Sequence, residues 1–365
     1  MKKTAAYQKI YQDLSQGILT GKWQEGDLLP TEAAVAQSYG VSRITSRQAF
    51  AMLADGGYII RVQGKGSVVA SAPSRQPLLG LVLSDFDSLF GTEFVKGVFH
   101  EAASRGYLVL MQTGYHVREQ EGECLRRLLT AGVQGVIDVP LYDSMHYTEE
   151  LQAVSERIPL IFADRRVVGL EAPLVCTDNV GGTEFLCRKL HSNGYQSIAF
   201  ISSKTDSTAV GERLKGYLND CTAGGRVPDK RLMLTSIRST LPGMGGKDNE
   251  AYDIGQIERF LTENQNVRAV IAHTYQVAKL VHRAANNLGL RVPQDCAIVC
   301  FDAPRADGEA ETYAHMRQNE YEMGARAVQR LTDTIAGKQT PDITYVDAVF
   351  VDGKSYVHKH WEEAI

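Results

Sequence analysis

Gly40-Val-Ser-Arg-Ile-Thr-Ser-Arg-Gln-Ala-Phe50, followed by Gly56-Gly-Tyr-Ile-Ile-Arg-Val-Gln-Gly-Lys-Gly-Ser67, is the stretch on which the reading of this chain turns. Ser42 is a small oxygen-bearing residue at the start of a helical pattern, where a side chain can cap orphan backbone N–H groups. Arg43 and Arg47 are four residues apart and so share one helix face. Ser42 and Thr45 are placed to reach phosphate or base, and Gln48 lies one position off the arginine face. Helical spacing predicts that Ile44, Ala49, Phe50 and Leu53 point inward. The second segment reads as two short strands, 58–62 and 67–70, around a Gln-Gly-Lys-Gly tip. Gly64 and Gly66 permit close backbone approach there while Lys65 supplies charge. A helix sized for a groove beside a basic hairpin suits duplex DNA, because arginine can bond a guanine edge bidentately or clamp a phosphate.

Outward from this stretch, residues 5–20 carry Tyr7, Ile10, Tyr11, Leu14 and Ile18 at helical spacing. Thr31 after Pro30 caps a second helix that runs to about Ser38 and closes at Gly40. Three helices and a hairpin in about 70 residues predict a winged helix-turn-helix over 1–70. Residues 71–77, Ser-Ala-Pro-Ser-Arg-Gln-Pro, lack periodicity and read as a linker.

From Leu78 the texture changes. Apolar runs at 78–83, 107–112, 135–139, 159–163, 197–202, 268–272 and 297–301 alternate with amphipathic stretches at 92–105, 119–131, 180–193, 208–223, 254–264, 275–288 and 320–336. Near-continuous apolar strands alternating with helices predict parallel sheets covered on both faces. The length of 78–365 predicts two α/β lobes, with breaks near 175 and 303, and residues 237–253 read as an extended loop. Ligands in such folds sit outside the carboxyl ends of strands. Polar residues collect there: Asp138, Asp164 with Arg165, His273 and Tyr275, Asp302, Tyr115 after the second run and Phe90 after the first. Arg213 opens an Arg-x-x-Gly-Tyr motif. Planar charged groups that bond adjacent hydroxyls, beside an aromatic face, are what a sugar requires. An aspartate at a strand end can equally cap the following helix, and that reading stays open for Asp138, Asp178 and Asp302.

Composition bounds the rest. The 365 residues are 44% hydrophobic and 22% charged, as in a soluble globular protein. The net charge of −4 hides an asymmetry: residues 1–75 hold 9 Lys/Arg and 5 Asp/Glu, the remainder 30 and 38. Only the first part is suited to a polyanion. Six scattered cysteines (124, 176, 187, 221, 296, 300) form no Cys-x-x-Cys pair and read as reduced thiols of a cytoplasmic protein. No secretory signal and no apolar run of membrane-spanning length is apparent. Gly64-Lys65-Gly66 lacks the remainder of a Walker loop, no Gly-x-Ser-x-Gly elbow exists, and no histidine cluster supports a metal site. No cofactor is expected, and the expected class is not an enzyme.

Residues 5–70 resemble the GntR family of winged-helix regulators. The resemblance rests on Gly26-Asp-Leu-Leu-Pro-Thr-Glu32, Tyr39 to Ala49, Leu53, Gly57-Tyr-Ile and Gln63-Gly-Lys-Gly-Ser67. It implies that Glu32, Arg43, Arg47, Gly64 and Lys65 contact DNA or support such contacts, with Gly66 beside them. Ala33 stands where that family often has arginine, and Ser46 where it usually has a β-branched residue. Residues 78 to about 355 resemble the LacI/GalR effector-binding domain, itself similar to periplasmic sugar-binding proteins. The matching text includes Leu79-Gly-Leu-Val-Leu-Ser-Asp85, Ile158-Pro-Leu-Ile-Phe-Ala-Asp-Arg165, Glu212-Arg-Leu-Lys-Gly-Tyr217, Val299-Cys-Phe-Asp302 and Met316-Arg-Gln318. This resemblance implies that Phe90, Asp164, Arg213, Asp302 and Gln318 lie at or near an effector.

The sequence therefore predicts a homodimeric regulator of carbohydrate-utilisation genes that binds double-stranded operator DNA and answers to a monosaccharide or derivative. Repression relieved by ligand is the family habit; activation remains an alternative. A transport-type binding protein is opposed by the first 70 residues. An enzyme fused to a DNA-binding head would need a cofactor lysine and a longer body.

Overall fold

The computed structural model describes residues 6–70, 76–83, 91–114, 118–140, 148–204, 207–241, 243–303 and 312–357. Phe90 and Tyr115, both expected near a ligand, lie outside the described residues. The chain forms two compact units that meet between Pro77 and Leu78.

The first unit contains α1 (Ala6–Leu19), α2 (Glu32–Tyr39), α3 (Arg43–Asp55), β1 (Ile59–Val62) and β2 (Gly66–Val69). Its caps follow from the sequence. Thr31 Oγ1 accepts the Ala34 N–H, and Ser42 Oγ accepts the Thr45 N–H. Gly40 closes α2 at φ 63°, a left-handed conformation that glycine adopts without a Cβ penalty. Ile10, Leu14, Ile18, Val35, Phe50, Leu53, Ile59 and Val69 form one buried cluster. The β1–β2 hairpin gains a third line of chain: Leu28 bridges Val68 antiparallel, and the Leu29 N–H donates to the Ser67 carbonyl.

Ile44 departs from expectation. It is 79% exposed, while Ser46 is buried among Ala49, Phe50 and Leu53. The inward strip of α3 runs through 46, 49, 50 and 53, and at about 100° per residue position 44 falls on the opposite side.

The second unit is a pair of six-stranded sheets. Lobe one orders its strands β13-β7-β6-β5-β3-β4, that is Ile343–Val346, Leu174–Thr177, Leu160–Ala163, Val136–Val139, Leu78–Leu83 and Leu108–Thr113. Its helices are α4 (Thr92–Ser104), α5 (Arg118–Ala131), α6 (Thr148–Ser155) and α11 (Glu320–Ile335). Lobe two orders β14-β12-β11-β10-β8-β9: Val349–Val351, Ala314–Arg317, Ala297–Phe301, Ala269–Ala272, Ile198–Ser203 and Met233–Ile237. It carries α7 (Asn179–Ser192), α8 (Thr208–Ala223), α9 (Lys247–Glu263) and α10 (Tyr275–Asn287). All pairings within these two sheets are parallel except β12 with β14. Each sheet is buried on both faces, which is why its central strands read as unbroken apolar runs.

Two expectations are corrected. The stretch 237–253 is not one extended loop, since α9 begins at Lys247. The second lobe break is not at 303: β12 still belongs to lobe two, so the chain crosses after Arg317. There are three crossings, after β7, after β12 and between β13 and β14. Among the described residues no helix is long and apolar enough to cross a membrane.

Candidate functional sites on the head and in the body

On the head, Ser42, Arg43, Ile44, Arg47 and Gln48 are exposed along one side of α3, with Thr45 half-buried. Ser42 and Thr45 hydroxyls lie 2.9 Å apart, so both are partly used in starting the helix. Glu32, at the first position of α2, gathers two arginines from different elements. Arg47 Nε is 3.5 Å and an Arg61 terminal nitrogen 3.2 Å from its carboxylate oxygens. Glu32 thus aims Arg47 from outside its own helix, while Arg43 makes no ion pair or hydrogen bond with another described side chain. At the hairpin tip Gly64 has φ 78° and Gly66 φ 110°, and Lys65 between them is exposed. Every residue expected to contact DNA is on the described surface. Arg61 was not foreseen; its place on a strand opposite Glu32 leaves no local pattern.

In the body the polar residues gather where the crossings occur. β6 ends in Asp164 and β11 in Asp302, each in the left-handed region, at φ 65° and 68°. The two are equivalents: the Asp164 N–H donates to the Val175 carbonyl of the next strand, and the Asp302 N–H to the Met316 carbonyl of its own. A non-glycine residue held there stores roughly 1–2 kcal/mol of strain, a pattern that clusters at ligand sites.

Arg213, on α8 with a side chain only 4% exposed, organises lobe two. Its Nε donates to Asn179 Oδ1 at 2.8 Å and another nitrogen to the His273 carbonyl. A terminal nitrogen lies 3.6 Å from Asp302, and the guanidinium carbon stands 4.2 Å over the Phe301 ring. Gln318 joins the crossings. Its amide nitrogen donates to Asp302 at 2.9 Å, and its amide oxygen accepts the Thr177 hydroxyl at 2.7 Å. Arg165 Nε donates to Asp164 at 3.0 Å. The lobes also touch through the Arg166 N–H, which donates to the Thr208 hydroxyl at the start of α8.

His273 follows β10, buried, with Nε2 3.2 Å from the Ser203 hydroxyl. Burial, with the Arg213 charge adding to it, pushes its pKa down to about 3, so it is a neutral imidazole. Two expected ligand residues are placed elsewhere. Asp138 faces the α5–α6 side of its sheet, inside the core; burial and then the neighbouring Glu121 hold its carboxyl well above the usual range. It sits near the strand end in sequence, but the two-residue alternation turns it away. Tyr275 is a core residue, edge-on to Tyr313 and His315, with its hydroxyl accepting the Thr312 N–H.

Sequence reading missed Thr177, Asn179, Glu212 and Glu320. Glu212 Oε2 lies 3.4 Å from the Asn179 amide. Glu320, two residues beyond Gln318, accepts the Gly91 N–H at 3.2 Å. Burial pushes its pKa up to about 7, against the Gly91 bond and with help from the Asp302 and Asp164 charges. The folded state therefore holds this proton more tightly than the unfolded chain. The stability it contributes is full below about pH 4.5 and is lost as pH rises through about 7. Urea melts of Glu320→Gln are expected to lack this loss and to exceed wild type at pH 8, by up to about 3 kcal/mol. Identical pH dependence in the two proteins would remove Glu320 from the titration.

The six cysteines are free thiols, and burial pushes Cys296 up to about 12. Among the described residues no group of three or more His, Cys, Asp or Glu is placed to hold a metal ion.

A winged helical head on a two-lobed, hinge-linked α/β body defines a ligand-binding protein with a DNA-reading arm. Residues 6–69 match the family of bacterial regulatory proteins called gntR, and residues 187–356 match the periplasmic binding protein-like domain. The chain thus joins a gntR-type head to a periplasmic-binding-protein-like body. It is 24% identical over 352 residues to an arabinose metabolism transcriptional repressor of Geobacillus stearothermophilus, covering 92% of this chain and 93% of that one. It is 25% identical to the HTH-type transcriptional regulator GalR of Salmonella typhimurium, covering 76% and 78%. The crystal structure of the transcription regulator CcpA of Lactococcus lactis superposes with a TM-score of 0.65 at 19% identity, over 78% of this chain and all of that one, and shares its fold.

Proposed function

We propose that this protein is a sequence-specific transcriptional repressor of carbohydrate-utilisation genes whose operator affinity is set by a sugar or sugar derivative. The observation that carries the reading is the pairing of two built sites in one chain: the arginine-bearing face of α3 and the Arg213–Asp302–Gln318 network at the crossings. The network binds rather than catalyses, since its charged groups are held by one another in a fixed arrangement with no activated nucleophile. The relatives with regulator and repressor names support the same reading. The protein acts in the cytoplasm as a homodimer assembled through its body, so two heads meet a two-fold operator. Ligand closes the lobes about the three crossings, and it shifts DNA affinity only by its differential affinity for the two arrangements.

The test joins both sites. Thermal shift against neutral sugars, sugar acids and sugar phosphates identifies the effector, and operator binding is then titrated with and without it. An effector that stabilises the protein yet leaves operator affinity unchanged would overturn the reading. Arg43→Ala and Arg47→Ala are each expected to weaken operator binding by about 1–3 kcal/mol, measured by fluorescence anisotropy at fixed salt. Wild-type affinity in both would remove α3 from the groove.

A further inference from the structure

We infer that Ile44 reads the 5-methyl group of a thymine in the major groove, so that one base pair of each half-site is specified by apolar contact. The inference rests on the DNA-binding reading above and deepens it.

Ile44 is 79% exposed on the first turn of α3. The inward strip of that helix is complete without it, through Ser46, Ala49, Phe50 and Leu53. Helical geometry instead groups position 44 with 43, 47 and 48, so a β-branched apolar side chain stands among two arginines and a glutamine. The other exposed apolar residues of the head, Leu28, Ile60 and Val62, lie on the hairpin and its flanking segment, not on this helix. An isolated apolar residue exposed to water gains nothing for the fold; its surroundings show what can cover it. Arg43 and Arg47 direct this face to a polyanion. Of the base edges in the major groove, thymine alone offers a methyl group. Isoleucine in a helix is held in one dominant rotamer, so it loses little freedom when it meets that methyl. The Ser42 and Thr45 hydroxyls, 2.9 Å apart at the helix start, are partly committed to each other, which leaves Arg43, Ile44 and Gln48 to face bases.

The test uses the full-length protein. Its preferred duplex is first selected from a random pool. Thymidines of that duplex are then replaced one at a time by deoxyuridine, which deletes only the methyl. Wild type and Ile44→Ala are titrated on every duplex at fixed salt, with melting temperatures as the folding control. At one position per half-site, deoxyuridine is expected to weaken wild type about three- to tenfold, the scale of one buried methyl per half-site. Ile44→Ala should bind the thymine and uracil duplexes alike at that position, at the weakened level. Independent losses from the two changes, or an Ile44→Ala protein with wild-type affinity, would overturn the inference. Failure of wild type to select any sequence would instead overturn the DNA-binding reading itself.

Discussion

Arg213→Ala is expected to lower the stability of the unliganded body by about 3–5 kcal/mol and to abolish stabilisation by effector. One change strips partners from Asn179 Oδ1, the His273 carbonyl and the Asp302 carboxylate. It also removes the cation from the Phe301 ring. The Asp302 side chain is 17% exposed, so its charge is left poorly compensated, with the Gln318 amide as its remaining hydrogen-bond donor. Breaking a buried pair by deleting one member costs about this much because the surviving charge stays desolvated. The melting temperature should fall by roughly 6–15 °C. Arg213→Lys keeps the charge but cannot reach its several acceptors at once, and should fall between. Calorimetry with and without effector checks both. An alanine variant that melts with wild type would mean the network carries no stability.

Gly97→Val is expected to cost at least about 3 kcal/mol, read as a fall in the urea midpoint. A Cβ at Gly97 would lie 2.0 Å from the Tyr321 carbonyl oxygen and 3.1 Å from the Ala325 nitrogen. The reciprocal position, Gly324, would place its Cβ 2.2 Å from the Phe94 carbonyl oxygen. These obstacles are backbone, which cannot rotate aside, so α4 and α11 would have to separate and open the cluster of Phe94, Val98, Met323 and Ala327. Gly255, inside α9, meets nothing within 4 Å, so Gly255→Ala should instead stabilise by about 0.5–1 kcal/mol. Equal effects of the two changes would discount the close approach.

Much of this architecture is legible in the chain, and the illegible parts share a cause. Thr208–Ala223 and Glu320–Ile335 run long enough to display a 3.6-residue period. β7, β12, β13 and β14 are three or four residues each, too short for any period, and they are the strands that make the crossings. The first turns of α9, Lys-Asp-Asn-Glu-Ala-Tyr-Asp, show little apolar periodicity, so the helix looked seven residues shorter. Ile44 was misread because apolar character was equated with an inward direction, while the inward place belongs to Ser46. Strand-end position did bring Asp164, Arg213, His273, Asp302 and Gln318 to the crossings. It failed for Asp138 and Tyr275, where the neighbouring core decides which way a side chain turns. Pairings such as Thr177 with Gln318 join residues 141 apart and leave no trace in local pattern.

Three strand-to-lobe crossings side by side act as a door hinge with three knuckles. Such a joint resists twisting and sliding and leaves one easy rotation. Whatever occupies the space between the lobes is therefore reported as a single number, the angle at which the lobes come to rest. A ligand slightly too bulky stops the door short rather than throwing it off its pins. Chemically related ligands should thus yield graded outputs, from full inducer through weak inducer to competitor, ordered by how far each lets the door swing.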